Sequence, residues 1–359
     1  MSEREQKLSL LSEACRFDVS SPGECMQSLA EAYSITYRRQ GGCGRLLKVL
    51  MHGSCSYDCA YCAIRLNRER CAFTPEELAR TFLHLYREGR AGGLFLSSGI
   101  PRDVDRVTAD ILETGELLRK MGYEGYLHLK VLPGAARADI RDLARVADRI
   151  SINLEAPSSD RLMDLAGVKD YANDILKRQS WVADAKPGGH TTQLVIGAAG
   201  ETDAEIARCV TGQYRTARPS RVYYSAFRAL PGTPLAGKND TPVWRAHRWY
   251  QIDYLLREYR IPAAEIHALL DEEGYLTNRD PKEILFSGQR CVNVNTASFH
   301  DLIRVPGIGP RGADRILAMR RDRPIAGLHD LRRAGVRAGK ARPFVTFGGR
   351  ETVQMQLPL

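Results

Sequence analysis

The segment Gly53-Ser-Cys-Ser-Tyr-Asp-Cys-Ala-Tyr-Cys62 sets Cys55, Cys59 and Cys62 at C-x3-C-x2-C spacing, with Tyr61 directly before the last cysteine. Three thiolates this close can ligate three irons of a [4Fe-4S] cube and leave the fourth iron without a protein ligand. Ferredoxin-type electron carriers close all four irons with cysteine. A centre one ligand short keeps a coordination position for a substrate or cofactor, as catalytic zinc sites do. The alternative is a structural zinc site with His52 as fourth ligand, although such sites usually pair C-x2-C units and no second unit follows here. Inert packing is the remaining reading, and thiols this dense are seldom only packing.

The surrounding elements must hold that loop in place. Leu46-Leu-Lys-Val-Leu-Met51 reads as a buried strand leading straight into it. Thr74-Pro-Glu-Glu77 then combines an N-cap threonine, proline at the first helical position and a capping-box glutamate, which predicts a helix to about Gly89. The alternation continues with strands at 93–99, 126–131, 149–155, 191–196 and 221–227. Helices are predicted near 103–121, 136–147, 159–165 and 170–184, and another is capped by Thr202-Asp-Ala-Glu205. Six β-then-α units in series imply a parallel α/β sheet, open or curled into a partial barrel, with function at the C-terminal strand ends. The cysteine loop leaves its strand at that end.

Residues 1 to about 45 read as mostly helical, and 243–270 as long amphipathic helix interrupted at Pro262. The linker-like stretch 271–290 precedes a basic tail. The expected domains are an N-terminal helical segment (1–42), the β/α core (43–240), a helical extension and linker (241–290), a small all-α domain (291–346) and a tail (347–359).

At 359 residues the chain is long enough for one large domain and a small one. Nine unevenly spread cysteines do not form a disulfide framework and fit a reducing compartment. The N-terminus lacks the apolar core of a signal peptide, and no window approaches the roughly 18 apolar residues of a membrane span. A cytoplasmic protein without membrane association is therefore expected. The net charge of +9 is uneven: from Cys291 onward 12 Lys/Arg face 5 Asp/Glu, which points to a polyanionic partner for the C-terminal fifth.

With its cysteines in the first βα loop of six units, the chain resembles the radical S-adenosylmethionine (SAM) superfamily over roughly residues 43–235. The resemblance implies a (β/α)6 partial barrel, a [4Fe-4S] cluster on Cys55, Cys59 and Cys62, and SAM chelated by the open iron. One-electron cleavage of SAM would then give a 5′-deoxyadenosyl radical that abstracts hydrogen from the substrate. Cluster potentials reaching roughly −700 mV make that electron transfer feasible, and the radical chemistry is the cofactor's own.

Site residues follow one at a time. Tyr61 is placed near adenine. Ser97, Ser98 and Gly99 stand where the family carries a Gly-Gly-Glu-like segment at the SAM methionine group, and the glutamate is missing. On the fourth strand Ser151, Asn153 and Glu155 share one face by period two and are placed at the ribose. Val195 and Ile196, in Val195-Ile-Gly-Ala-Ala-Gly-Glu-Thr202, are placed at adenine, and Lys130 at the SAM carboxylate. Tyr223, Tyr224, Cys71 and Cys209 are candidate hydrogen donors. Cys15, Cys25, Cys43 and Cys71 are too irregularly spaced to define a second cluster.

Ser298 to Leu317 resembles a helix–hairpin–helix DNA-binding motif, with its hairpin at Pro306-Gly307-Ile308-Gly309. The glycines allow a tight turn whose N–H groups, with the next helix N-terminus, can meet a phosphate. Ile308 is the pin between the helices, and Leu302, Val305, Ala313 and Ile316 have the spacing of packed faces. Arg311 and Arg315 would add phosphate contacts. A degenerate copy follows: the step from Gly307 to Ala313 recurs from Gly335 to Ala341, with Arg337 in place of the second glycine. Such hairpins read phosphate, so binding should be largely sequence-independent.

The combination is similar to a family of radical SAM proteins described as DNA modification or repair proteins. Cys-Ser-Tyr-Asp-Cys-Ala-Tyr-Cys62, Phe-Leu-Ser-Ser-Gly-Ile100 and Tyr-Ser-Ala-Phe-Arg-Ala-Leu-Pro-Gly-Thr-Pro-Leu235 have close counterparts there. The resemblance implies DNA as partner, a uracil-DNA-glycosylase-like protein as a further one, and flavodoxin or ferredoxin as electron donor. An RNA-modifying enzyme of the same chemistry, and a non-catalytic Fe-S nucleic-acid-binding protein, are the alternatives.

Overall fold

The structure is a computed structural model that describes residues 3–15, 35–39, 42–66 and 71–348. It divides into two compact units, Met1–His247 and Arg248–Leu359.

In the first unit, helix α1 (Glu3–Ala14) precedes β1 (Ile35–Arg39) and β2 (Gly42–Leu50), which pair antiparallel. The expected N-terminal helix is thus confined to α1 among the described residues. The run Ile35-Thr36-Tyr37 is β-branched and aromatic, which suits a strand, and residues 16–34 lie outside the described set. There follow α2 (Pro75–Arg87), β3 (Gly93–Ser97), α3 (Val104–Lys120), β4 (Tyr126–Lys130), α4 (Arg137–Val146) and β5 (Arg149–Ser151). Next come α5 (Ser159–Leu165), a π turn at Tyr171–Leu176, α6 (Lys177–Ala185), β6 (His190–Ile196), α7 (Asp203–Thr216) and β7 (Arg221–Ala226).

Strands β2 to β7 lie in sequence order and all pair parallel, the parallel sheet expected from the six β/α units in the half-barrel form that the resemblance implies. The strand runs are apolar and buried because helices cover one face and the barrel interior the other; every residue of β3 and β6 is buried. Capping boxes start α2, with Thr74 and Glu77, and α7, with Thr202 and Glu205. Each N-cap side chain contributes about 1 kcal/mol and fixes where the loop in front of its helix ends.

In the second unit, α8 (Val243–Arg257), whose first residues precede the unit boundary, leads to a 3-10 turn at Ala263–Leu269. The helix expected over 243–270 therefore stops at Arg257, five residues before Pro262, and only the 3-10 turn follows that proline. The stretch expected to be a linker holds α9 (Pro281–Phe286), capped by Asp280, and Phe286 belongs to the core of the small domain. The remainder comprises β8 (Val292–Asn293), α10 (Phe299–Arg304), α11 (Pro310–Asp322), α12 (Leu328–Arg333), α13 (Ala338–Ala341) and β9 (Val345–Thr346). Leu302, Val305, Ile308, Ala313 and Ile316 are all buried in one cluster with Leu331, Val336 and Ala341 of the second copy. Packing, more than propensity, sustains helices this short.

Candidate active site and nucleic-acid interface

The cysteine loop between β2 and α2 is held from outside. Ser56 N and Oγ donate to the Ile100 carbonyl at 2.7 and 2.9 Å, Ala60 N to Leu165 O at 2.7 Å, and Tyr57 Oη to Pro133 O at 3.2 Å. Behind the loop, Gly99 N donates to His52 O at 2.9 Å, and His52 N to Ser98 Oγ at 3.1 Å. A Cβ on Gly99 would sit 2.3 Å from the Ser54 carbonyl oxygen, so only glycine lets the end of β3 touch the loop this closely.

These contacts make one wall of a cleft, open to solvent, at the C-terminal ends of the strands. Cys55, Cys59, Tyr61 and Cys62 line it together with Ser97, Ser98, Gly99, Lys130, Asn153, Glu155 and Val195. Two residues expected at the cofactor do not line the cleft. Ser151 lies outside the lining, where its hydroxyl pairs with the buried His128 ring at 2.7 Å. Ile196 turns to the opposite face of β6 from Val195 and is fully buried. Ser98 reaches the cleft, but its hydroxyl donates to Gly99 O at 2.6 Å and secures the cysteine loop.

Regular strand ends at Ser151, so the expected face bends. The amides of Leu154 and Glu155 both donate to the Gln193 carbonyl at 3.0 Å, a bulge that leaves Glu155 at φ 65°. A non-glycine residue held there stores about 1–3 kcal/mol of strain. The bulge aims Asn153 and Glu155 into the cleft, where Lys130 donates to the Asn153 side-chain carbonyl. At the turn after β6, the Glu201 carboxylate accepts from the amides of Gly197 and Ala199, and Arg245 bonds the Glu201 carbonyl at 2.9 Å.

Sequence reasoning missed Lys169, Tyr57, Gln193, Ser225 and Arg228, all lining the cleft. Period two from Val195 would have found Gln193. Lys169 carries no local signal, because a loop after α5 brings it in. Its side chain is 6% exposed, with Nζ 3.5 Å from Glu155 Oε1 and within hydrogen-bond reach of Cys59. Burial opposes its charge, yet Cys59 and Glu155 hold its pKa well above the ordinary lysine value. Burial likewise pushes the Cys59 thiol up and Cys62 to about 12. Burial, then the Glu155 charge, pushes the Tyr61 hydroxyl up, which keeps it a neutral phenol beside Glu155.

Of the candidate hydrogen donors, none lines the cleft. Tyr223 pairs with Gln193 in the sheet and is two residues before the lining residue Ser225, so it lies on the interior face one layer deeper. Tyr224 lies on the opposite face. Cys209, on α7, stands 4.0 Å from the Tyr171 hydroxyl, and the Cys71 carbonyl accepts from Gly53 N at 2.9 Å.

The donor set fits an iron–sulfur cluster: three unbridged cysteines from one loop, on one wall of one cleft. The zinc alternative gains nothing, because His52 is turned to Asp110 at 3.1 Å. Among the described residues no three His, Cys, Asp or Glu side chains are arranged around a single ion. Bound there, a cluster would be held by these three cysteines as thiolates, its metal charge offsetting the burial penalty on them.

In the C-terminal unit the first hairpin sits as expected. Gly307 adopts φ 87°, and a Cβ there would lie 2.8 Å from the Arg337 carbonyl oxygen. Ile308 N donates to Val305 O at 3.1 Å, while among the described residues no backbone bond engages the amides of Gly307 or Gly309. Those amides and the start of α11 are free to meet an anion, with Arg311 and Arg315 exposed beside them. The second copy differs: Gly335 N, Val336 N, Arg337 N and Ala338 N donate to Arg332 O, Leu331 O, Gly307 O and Val336 O. Its hairpin braces the first.

Lys282 adds a support that the sequence did not show. Its ammonium donates to Ile308 O at 2.7 Å and lies 4.8 Å from the centre of the Tyr259 ring. Burial pulls its pKa down to about 7.

Residues 49–211 match the model of the Radical SAM superfamily, and residues 287–333 match that of the helix-hairpin-helix motif. No curated protein matches the sequence significantly. Among solved structures, the chain is similar to HydG, a maturase of the [FeFe]-hydrogenase, with TM-score 0.49 and 12% identity over 71% of this chain and 62% of that one. SuiB of Streptococcus suis, solved bound to S-adenosylmethionine, gives TM-score 0.47 and 14% identity over 59% of this chain and 48% of that one. Methylornithine synthase PylB gives 0.47 and 14%, over 67% and 65%. The chain thus spans about three-fifths of the HydG chain. Residues 49–211 are thus a radical SAM domain, of a family that uses a [4Fe-4S] cluster and SAM, and a helix–hairpin–helix motif follows at the C-terminus.

Proposed function

We propose that this radical SAM enzyme modifies or repairs a nucleotide in DNA. The observation that carries the reading is the first hairpin, whose glycine amides stay unengaged while its packed copy uses every amide from Gly335 to Ala338. A phosphate backbone is the ligand such a surface fits, and the basic C-terminal stretch favours it electrostatically.

Cys55, Cys59 and Cys62 would hold the cluster, and SAM would occupy the cleft beside Tyr61, Ser97, Lys130, Asn153, Glu155 and Val195. When bound, this pair supplies one-electron cleavage ending in hydrogen abstraction. Asn153 and the Glu155 carboxylate suit vicinal hydroxyls, and the bulge sets their direction. Lys130 supplies a cation for a carboxylate. Arg228, which among the described residues makes no ion pair, is a cation left for a substrate phosphate. The target base would be flipped out or already single-stranded. The electron would come from flavodoxin or ferredoxin, and a uracil-DNA-glycosylase-like protein is the partner implied by the family resemblance. Among the described residues no helix is long and apolar enough to cross a membrane, and the setting we expect is cytoplasmic.

The test is a pair of variants in the full chain. Cys59→Ala should abolish SAM cleavage and keep DNA affinity within a few-fold. Arg311→Ala combined with Gly307→Val should weaken binding and spare DNA-independent SAM cleavage. Equal loss of both activities in either variant contradicts the proposal. Tighter binding to a matched RNA strand than to DNA would move the substrate to RNA.

A further inference from the structure

The loop that carries Lys169 is fastened to the cysteine loop at two points. Ala60 N donates to Leu165 O at 2.7 Å, and Val168 N to Asp58 Oδ1 at 3.4 Å. Beyond it, Asp170 caps the π turn by accepting from Ala172 N and Asn173 N at 2.8 and 2.9 Å. Lys169 is therefore pinned on both sides. Its side chain, 6% exposed, extends to Glu155 and to the Cys59 sulfur. Lysines are almost never buried this deeply unless paired. Both partners belong to the cleft: Nζ stands 3.5 Å from the Glu155 carboxylate and beside the Cys59 sulfur.

Cluster potentials follow net charge, hydrogen bonds to the sulfurs and solvent exposure. A cation bonded to a ligand sulfur favours the state with one more electron, and an anion disfavours it. We propose that Lys169 and Glu155 form a built-in charge pair that sets the reduction potential of the cluster on Cys55, Cys59 and Cys62, with Lys169 raising it and Glu155 offsetting the rise. This rests on the reading of the three cysteines as cluster ligands. Lys169 acts here as a positioning and tuning residue through Cys59, not as a group that touches the reacting atoms.

The experiment uses the full chain, reconstituted anaerobically with iron and sulfide and without SAM, titrated potentiometrically and read by electron paramagnetic resonance. Lys169→Met should lower the midpoint potential, and Lys169→Arg, which keeps charge and donor, should return it close to the parent value. Glu155→Gln should raise it, and Lys169→Met with Glu155→Gln should fall between the singles. Shifts of the same sign in the two single variants, or no shift in either, overturn the proposal. If Lys169→Met fails to hold a cluster, Glu155→Gln decides alone: a raised potential supports the pair, an unchanged or lowered one refutes it. A parent chain that takes up no cluster overturns the cysteine reading and the proposal with it, a result distinguishable from loaded clusters with unmoved potentials.

Discussion

The cysteine loop and the first hairpin both present groups to a ligand, and they are held in opposite ways. The loop has little structure of its own; it borrows order from the loops after β3, β4 and α5 through bonds such as Ser56 to Ile100 and Ala60 to Leu165. Its working groups are side chains. The hairpin is held by one glycine conformation, the buried pin Ile308 and a degenerate copy of itself, and its working groups are backbone amides. The loop should therefore fail when a neighbour moves, and the hairpin when its own backbone is changed.

The largest effect that would break this contrast lies at Gly307. Gly307→Val forces a β-branched residue to φ 87° and a Cβ to 2.8 Å from the Arg337 carbonyl. It should cost about 2–4 kcal/mol, seen as lost hydrogen-exchange protection in α11 together with lost DNA binding. Gly99→Ala is the counterpart at the loop, with Cβ meeting Ser54 O at 2.3 Å. Overpacking of this kind costs about 1–3 kcal/mol, and the expected result is lower iron content per chain with DNA affinity unchanged.

A pH effect separates the units next. Lys282 has a folded pKa of about 7, below its unfolded value. The unfolded chain therefore binds more protons between about pH 7 and 10, so stability rises with pH across that window and is lost as pH falls through 7. Exchange at α11 amides, corrected for intrinsic rate, should slow from pH 6 to pH 9, and Lys282→Met should flatten the trend. The smallest effect compares the hairpins. Arg311→Ala should reduce the salt slope of DNA binding by about one, whereas Arg337→Ala, beside amides already engaged, should change it less.

How much of this was legible in the sequence depended on whether a residue's role was local. Cys55, Cys59 and Cys62 announce themselves by spacing, Thr74 and Thr202 by their capping boxes, and the hairpin by Gly307 and Gly309. Six β/α units implied a parallel sheet, and the resemblance to the radical SAM superfamily implied its partial-barrel form. Long-range roles were not legible. Lys169 reaches Cys59 across more than a hundred residues, and Lys282 reaches the hairpin from a stretch that reads as linker. The bulge at Leu154 and Glu155 also escaped, because alternation continues in the sequence where the backbone stops following it, and Ser151 was placed at the cleft instead of under it.

The central claim is that the cleft's chemistry is delivered to DNA. The most direct measurement follows deuterium from DNA labelled at sugar and base carbon positions into 5′-deoxyadenosine, with the reconstituted enzyme, SAM and dithionite under anaerobic conditions. The account predicts deuterated 5′-deoxyadenosine, a correspondingly altered nucleoside in the DNA, and neither with Cys59→Ala. 5′-Deoxyadenosine that forms without deuterium at every labelled position, or no 5′-deoxyadenosine at all, would contradict it.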